Sequence, residues 1–221
     1  MINLFKLIDN SHNIQSDSNT ASYNIGSRTI EIINNSKQLE SAMNSISKTP
    51  FIGFDSEQKP IFKKGQASHG ISIVQLATQS KCYLIQIKQI RNLKPLINIL
   101  EDASIIKIGT GLKGDNEALF RQFKLRLKST VDLENVFKKL SAKNQIGAKK
   151  AALIILDKNL QKSKNMSRSN WENKKLSDGQ IKYAAEDATV VYDVMDKIIE
   201  KYSFIIDVLP PFFESQYSKN S

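Results

Sequence analysis

Three short stretches of this 221-residue chain hold carboxylates at spacings suited to metal-ion chemistry. The first is Asp55-x-Glu57, which closes the apolar run beginning at Phe51. Side chains two apart on a strand point the same way, so these acids would stand side by side and repel. A hard, oxygen-seeking divalent cation removes that conflict. Two solvated charges at a strand end are the plainer alternative. The second is Asp115, just after Gly109, Gly111 and Gly114. A carboxylate in a first helical turn can equally serve the helix dipole. The glycines have dinucleotide-loop spacing, but Asp115 would face the pyrophosphate, which argues against a nucleotide cofactor. The third is Tyr183-x-x-x-Asp187. Residues four apart on a helix share a face, so phenol and acid would reach one place. A tyrosine packed in the core beside an exposed aspartate is the ordinary reading of that pair.

The combination says more than the parts. Four carboxylates, two on a strand and one on each of two helices, could hold two Mg²⁺ or Mn²⁺ ions about 3.5–4 Å apart. One ion would activate a water for attack on phosphorus and the other would stabilise the departing oxygen. Tyr183 would orient that water or accept its proton. The two histidines, His12 and His69, fall in a polar tail and a loop and are not needed.

These side chains need elements to carry them. Apolar runs predict strands at residues 29–33, 51–57, 71–77, 82–87, 105–109 and 130–133, with the third and fourth forming a hairpin. Helical spacing predicts helices at about 37–47, 93–100, 115–123, 148–156 and 177–201. A hairpin-bearing block followed by alternating strands and helices is expected to give an α/β fold, a mixed sheet with helices on both sides. Residues 1–27, rich in Asn and Ser, are expected to be a flexible segment, 28–208 the working domain and 209–221 a tail. Pro210 and Pro211 are expected to end regular structure.

Charge is unevenly distributed. The chain has a formal net charge of +10, and residues 107–175 contain 17 Lys+Arg against 6 Asp+Glu. That concentration favours a phosphate-backbone partner over a membrane. No run of 18 apolar residues occurs, which rules out a transmembrane helix. The start lacks the pattern of a secretory signal, and Cys82 is the only cysteine, so an intracellular protein is expected. The cytoplasm of a bacterium is the first choice and a eukaryotic nucleus the second.

The stretches FDSE, GQASHGISIVQLATQSKCYLI, KIGTGLKGDNEALFRQFKLRLKS and SNWENKKLSDGQIKYAAEDA, spread over residues 29–201, resemble the exonuclease domain of the Werner-syndrome helicase and its stand-alone relatives. The wider group, the DEDD exonucleases, includes ribonuclease D and polymerase proofreading domains. The resemblance implies a ribonuclease H-like fold and metal-dependent 3′→5′ removal of nucleotides from DNA, with trimming of RNA or a silent binding module as alternatives. It implies Asp55, Glu57, Asp115 and Asp187 as metal ligands and Tyr183 as the catalytic tyrosine of the tyrosine subclass. Ser56, Lys113, Arg168, Trp171 and Lys174 are expected to touch substrate, which would be a single-stranded or recessed 3′ end. Two departures concern how that end is gripped. Glu117 stands where an aromatic is common, and Lys174-Lys175 replaces an aromatic-Pro pair. No helicase motif is present, so unwinding would fall to a helicase partner.

Overall fold

Alternation of apolar side chains builds a six-stranded mixed sheet. The computed structural model describes residues 4–61, 65–141 and 145–220. The strands are β1 (Thr29–Ile33), β2 (Phe51–Gln58), β3 (Ile71–Ala77), β4 (Lys81–Gln86), β5 (Ile106–Gly109) and β6 (Thr130–Asp132), in the spatial order β1-β4-β3-β2-β5-β6. The β2–β3 and β3–β4 pairs are antiparallel, and the others are parallel. The helices are α1 (Leu4–Asp9), α2 (Ser36–Ile46), α3 (Lys94–Glu101), α4 (Lys113–Phe123), α5 (Leu133–Leu140), α6 (Ala148–Leu156), α7 (Lys164–Ser167), α8 (Asp178–Lys201) and α9 (Phe212–Asn220). The expected α/β architecture is what forms. Part of the 59–70 loop (62–64) and part of the basic connector (142–144) lie outside the described residues. Among the described residues no helix is long and apolar enough to cross a membrane.

The pleat of β2 sorts its residues between two cores. Ile52 and Phe54 face a layer made by Leu39, Met43, Leu96 and Leu119 of α2, α3 and α4. Phe51 faces the opposite layer, where Val190, Val191 and Val194 of α8 pack. By the same alternation Gly53, Asp55 and Glu57 face α8. The first four residues of β2 are buried and the last four only partly so, which leaves the acids at the mouth of the sheet.

Helix α8 starts from a capping box. Ser177 Oγ accepts from Gln180 N at 3.2 Å, and Gln180 Oε1 accepts from Ser177 N at 3.1 Å. Gln180 Nε2 also donates to Ser169 Oγ and the Asn170 carbonyl, tying the preceding loop to the helix. Ala184, Ala185 and Ala188 are fully buried, and this narrow face lies directly on the sheet. A Cβ added at Gly53 would stand 2.1 Å from the Ala188 carbonyl oxygen.

Several expectations give way. The first 27 residues are not simply flexible: Leu4 and Ile8 are fully buried, and Tyr23 donates to Asp193 Oδ2 at 2.6 Å. Leu4 and Ile8 stand one helical turn apart in the apolar start of the chain, and with Tyr23 they find core positions. The two prolines do not end regular structure, because α9 follows with Phe213 fully buried. Proline fits the start of a helix, where its missing N–H is not needed. Helix α5 was not foreseen, although Asp132 caps it and Leu133, Val136, Phe137 and Leu140 have helical spacing. Lys107 adds nothing to the basic surface. It is fully buried, donating to the carbonyls of Asp102 (2.6 Å) and Ile105 (2.9 Å), and burial lowers its pKa to about 8.

The contact at Gly53 is testable. Gly53→Ala must push α8 away from β2, at a cost of about 1–3 kcal/mol. A displacement of about 1 Å at the acids beside it should lower turnover by on the order of 10²-fold. Thermal unfolding and a nuclease assay on the same preparation check both effects; wild-type values in both would mean that the helix is not seated there.

Candidate active site

The carboxylates of Asp55, Glu57 and Asp187 converge. Each offers an oxygen, and the three oxygens lie within 4.8 Å of one another. Two elements bring this about: the β2 pleat aims Asp55 and Glu57 at α8, and the close approach at Ala188 brings the neighbouring Asp187 over them. Asp115 comes from the other side of the sheet, on α4. It joins the cluster through Ser56, whose hydroxyl donates to Asp115 Oδ1 while its backbone N–H donates to Asp55 Oδ1 at 2.9 Å. Asp115 stands apart from the tight group of three, yet its charge raises the pKa values of both Asp55 and Glu57.

Asp132 fixes the turn that carries Asp115. Its Oδ1 accepts from Gly111 N at 3.1 Å and from Glu134 N at 3.0 Å, and its Oδ2 accepts from Leu112 N at 3.0 Å. One side chain thus caps α5 and holds the entry to α4, where Gly111 has φ +67°.

The cluster is electrostatically unfavourable when no cation is bound. Burial comes first in raising the pKa of all four acids. For Glu57, burial and then the charges of Asp55 and Asp187 push it up to about 9. Asp55 and Asp187 are raised as a pair. Against this stands one cation that sequence reasoning missed. Lys162 donates to Asp187 Oδ1, and its ammonium lies 5.5 Å from the centre of the Tyr183 ring. Nothing local in the sequence separates Lys162 from the neighbouring connector lysines.

Tyr183 reaches the same place. Its hydroxyl is hydrogen-bonded with Asp187, and burial, followed by the charges of Asp187, Glu57 and Asp55, raises its pKa far above the ordinary value. The phenol is therefore protonated at neutral pH. Its ring packs on Trp171, with centroids 6.1 Å apart.

The residues expected to touch substrate divide. Lys113, Arg168 and Lys174 are exposed near the ends of α4, α7 and the loop before α8. That loop is pinned, since the Lys174 carbonyl accepts from Gln86 Nε2 at 3.2 Å and Gln89 Nε2 at 3.0 Å. Ser56 commits its hydroxyl to Asp115. Trp171 is only 1% exposed and cannot present its face to a ligand; it supports Tyr183 instead. His69 is not an idle surface group, because its Nδ1 lies 3.6 Å from Glu172, which also pairs with Lys59 and Lys88.

Residues 30–202, a span containing every acid of the cluster, match the family model described as 3′-5′ exonuclease. This chain belongs to the 3′-5′ exonuclease family. It is 38% identical over 140 residues to the mouse bifunctional 3′-5′ exonuclease/ATP-dependent helicase WRN, covering 62% of this chain and 10% of that protein. It is 30% identical over 140 residues to an Arabidopsis thaliana 3′-5′ exonuclease, covering 62% and 49%. The chain thus spans less than half the length of these curated relatives. In fold it is similar to Escherichia coli RNase D, an exoribonuclease involved in structured RNA processing, with a TM-score of 0.72 and 20% identity over 87% of this chain and 51% of that one. The sheet and its helices are those of the ribonuclease H-like exonuclease fold.

The raised acids give a signed pH dependence. The folded protein keeps a proton on Glu57 that the unfolded chain, with a pKa near 4.5, has lost. Stability contributed by that proton is present below about pH 4.5 and is lost as pH rises towards about 9. In chelator, thermal stability should fall across that window, and Mg²⁺ or Mn²⁺ should restore it at the alkaline end. At the alkaline end of that window, Asp55→Asn should unfold at a higher temperature than wild type in chelator, because one repelling charge is gone. A lower unfolding temperature for the variant would show that the cluster is not strained.

Proposed function

We propose that this family member is a metal-dependent 3′→5′ exonuclease that hydrolyses DNA from its 3′ end and releases nucleoside 5′-monophosphates. The observation that carries the reading is the convergence of Asp55, Glu57 and Asp187 within 4.8 Å, with Asp115 linked to them through Ser56. The donors are all carboxylate oxygens, which suits Mg²⁺ or Mn²⁺ rather than softer metals. A pair of such ions, when bound, supplies an activated water and a counter-charge for the leaving oxygen. Asp55, Glu57, Asp115 and Asp187 would hold them.

The chain's own groups do the rest. Tyr183, hydrogen-bonded with Asp187 beside the acids, orients the attacking water or accepts its proton. Trp171 keeps the phenol in place. Lys162 offsets part of the acidic charge and stands where a phosphate would approach. Lys113, Arg168 and Lys174 are exposed cations and would grip the strand end. The 38% identity with WRN, against 20% with the ribonuclease, favours DNA over RNA. Where the duplex must be unwound, a helicase partner would supply that step.

Asp55→Asn or Asp187→Asn should each reduce nucleotide release by about 10³-fold or more while leaving the fold intact. Tyr183→Phe should be slowed but active. The assay is a gel of 5′-labelled DNA and matched RNA strands with Mg²⁺ or Mn²⁺. Normal digestion by either aspartate variant would overturn the site, and preference for the RNA strand would move the substrate to RNA.

A further inference from the structure

Beyond the acid cluster, α4 leads to a second surface with its own chemistry. Between residues 121 and 128 the chain carries Arg121, Lys124, Arg126 and Lys128 and no acid. From Lys124 onward the side chains alternate. Leu125 and Leu127 are 2% and 8% exposed, whereas Lys124, Arg126 and Lys128 face solvent. Two buried leucines therefore hold three cations on one edge, beginning at Lys124, the left-handed C-cap of α4.

The edge is built rather than loose. Lys124 N donates to the Phe120 carbonyl at 3.0 Å, Leu127 N to Asn116 Oδ1 at 3.0 Å and Lys128 N to the Leu100 carbonyl at 3.1 Å. Phe120, an aromatic left 40% exposed, lies under the Arg126 guanidinium at 4.4 Å and the Lys124 ammonium at 5.5 Å. Stacking on the ring orders Arg126 in advance and leaves its N–H edge open, which lowers the cost of binding an anion. Among the described residues no carboxylate lies within ion-pair distance of Lys124, Arg126 or Lys128. Two cations seated on an exposed aromatic, with an exposed third beside them, are the make-up of a phosphate-backbone contact.

The surface also connects to the acids. Asp115 and Lys124 stand at opposite ends of α4, roughly 14 Å apart at the rise of a helix. Between them a cleft of about 300 Å³ is lined by Gln58, His69, Ala118, Arg121 and Gln122. It takes in Gln58, the last residue of β2, and runs along the same helix.

We propose that Lys124, Arg126 and Lys128, with Phe120 beneath them, form an anchoring strip for the phosphates of the upstream part of the strand being digested. The strip lies outside the catalytic centre and rests on the exonuclease reading for its substrate. It gives the enzyme a hold on strands long enough to span α4, while a dinucleotide meets only the acids. Recognition is of phosphodiester backbone, so DNA and RNA of equal length should both be held.

The test compares the full chain with a Lys124→Gln, Arg126→Gln, Lys128→Gln variant, and separately with Phe120→Ser. Binding of labelled 20-nucleotide DNA and RNA strands is read by fluorescence anisotropy in chelator over a series of salt concentrations. Release of nucleotide from a dinucleotide is read with Mg²⁺. The triple variant should lose on the order of tenfold in affinity for both strands, and its salt slope should fall by about 2, close to 0.7 per lost phosphate contact. Phe120→Ser should show a smaller loss in the same direction, and dinucleotide turnover should be unchanged in both. Unaltered affinity and slope would overturn the strip, as would an equal loss on the dinucleotide. A loss confined to one nucleic acid would overturn backbone recognition. Because binding is read without metal, a parent protein that holds strands through this edge but releases no nucleotide would refute the exonuclease reading and leave the strip standing.

Discussion

The contact on which this molecule depends is the seating of α8 on β2 at Gly53. Only a residue without a side chain lets the Ala188 carbonyl come so near, and the three buried alanines of α8 supply the matching narrow face. The consequence is local and chemical. The residue before Ala188 is Asp187, and the residues two and four beyond Gly53 are Asp55 and Glu57. A helix seated further from the sheet would leave Asp187 out of reach of the other two, and the cluster would not form. Small residues at one crossing thus set the distances at which the acids meet.

Electrostatics works in the opposite direction. Burial raises the pKa values of all four carboxylates, the charges of Asp187 and Asp115 raise Asp55 and Glu57 further, and among the described residues Lys162 alone pairs directly with the group. Packing between cores on both faces of the sheet imposes this arrangement on the acids. Such a site is least favourable when it holds no cation and gains most when it does, which is the behaviour expected of a metal-dependent hydrolase in this family. The same logic explains Tyr183. Surrounded by negative charge, its phenol keeps its proton.

Much of this was legible from residue spacing. Apolar runs and helical spacing found all six strands and the helices that carry chemistry, because the central strands are buried on both faces and the helices bury one face against a large core. Asp55 and Glu57 were legible because charged residues at the end of an apolar run are conspicuous, Asp115 from the glycine-rich turn before it, and Asp187 from its helical spacing to Tyr183. What could not be read depended on long-range packing. Trp171 looked like a ligand platform and is a buried support. Lys107 looked like one more surface cation and is buried against two carbonyls. Lys162 is one of many connector lysines until the fold brings it to Asp187. Leu4, Ile8 and Tyr23 lie in a stretch rich in Asn and Ser, yet each reaches a buried position.

The claim that matters most is that this cluster takes up a pair of cations together, and Mn²⁺ titration followed by electron paramagnetic resonance addresses it directly. With a nucleoside 5′-monophosphate present, the account predicts two Mn²⁺ per chain and the magnetic coupling of ions about 3.5–4 Å apart. Uptake of one ion or none, or two ions without coupling, would contradict it.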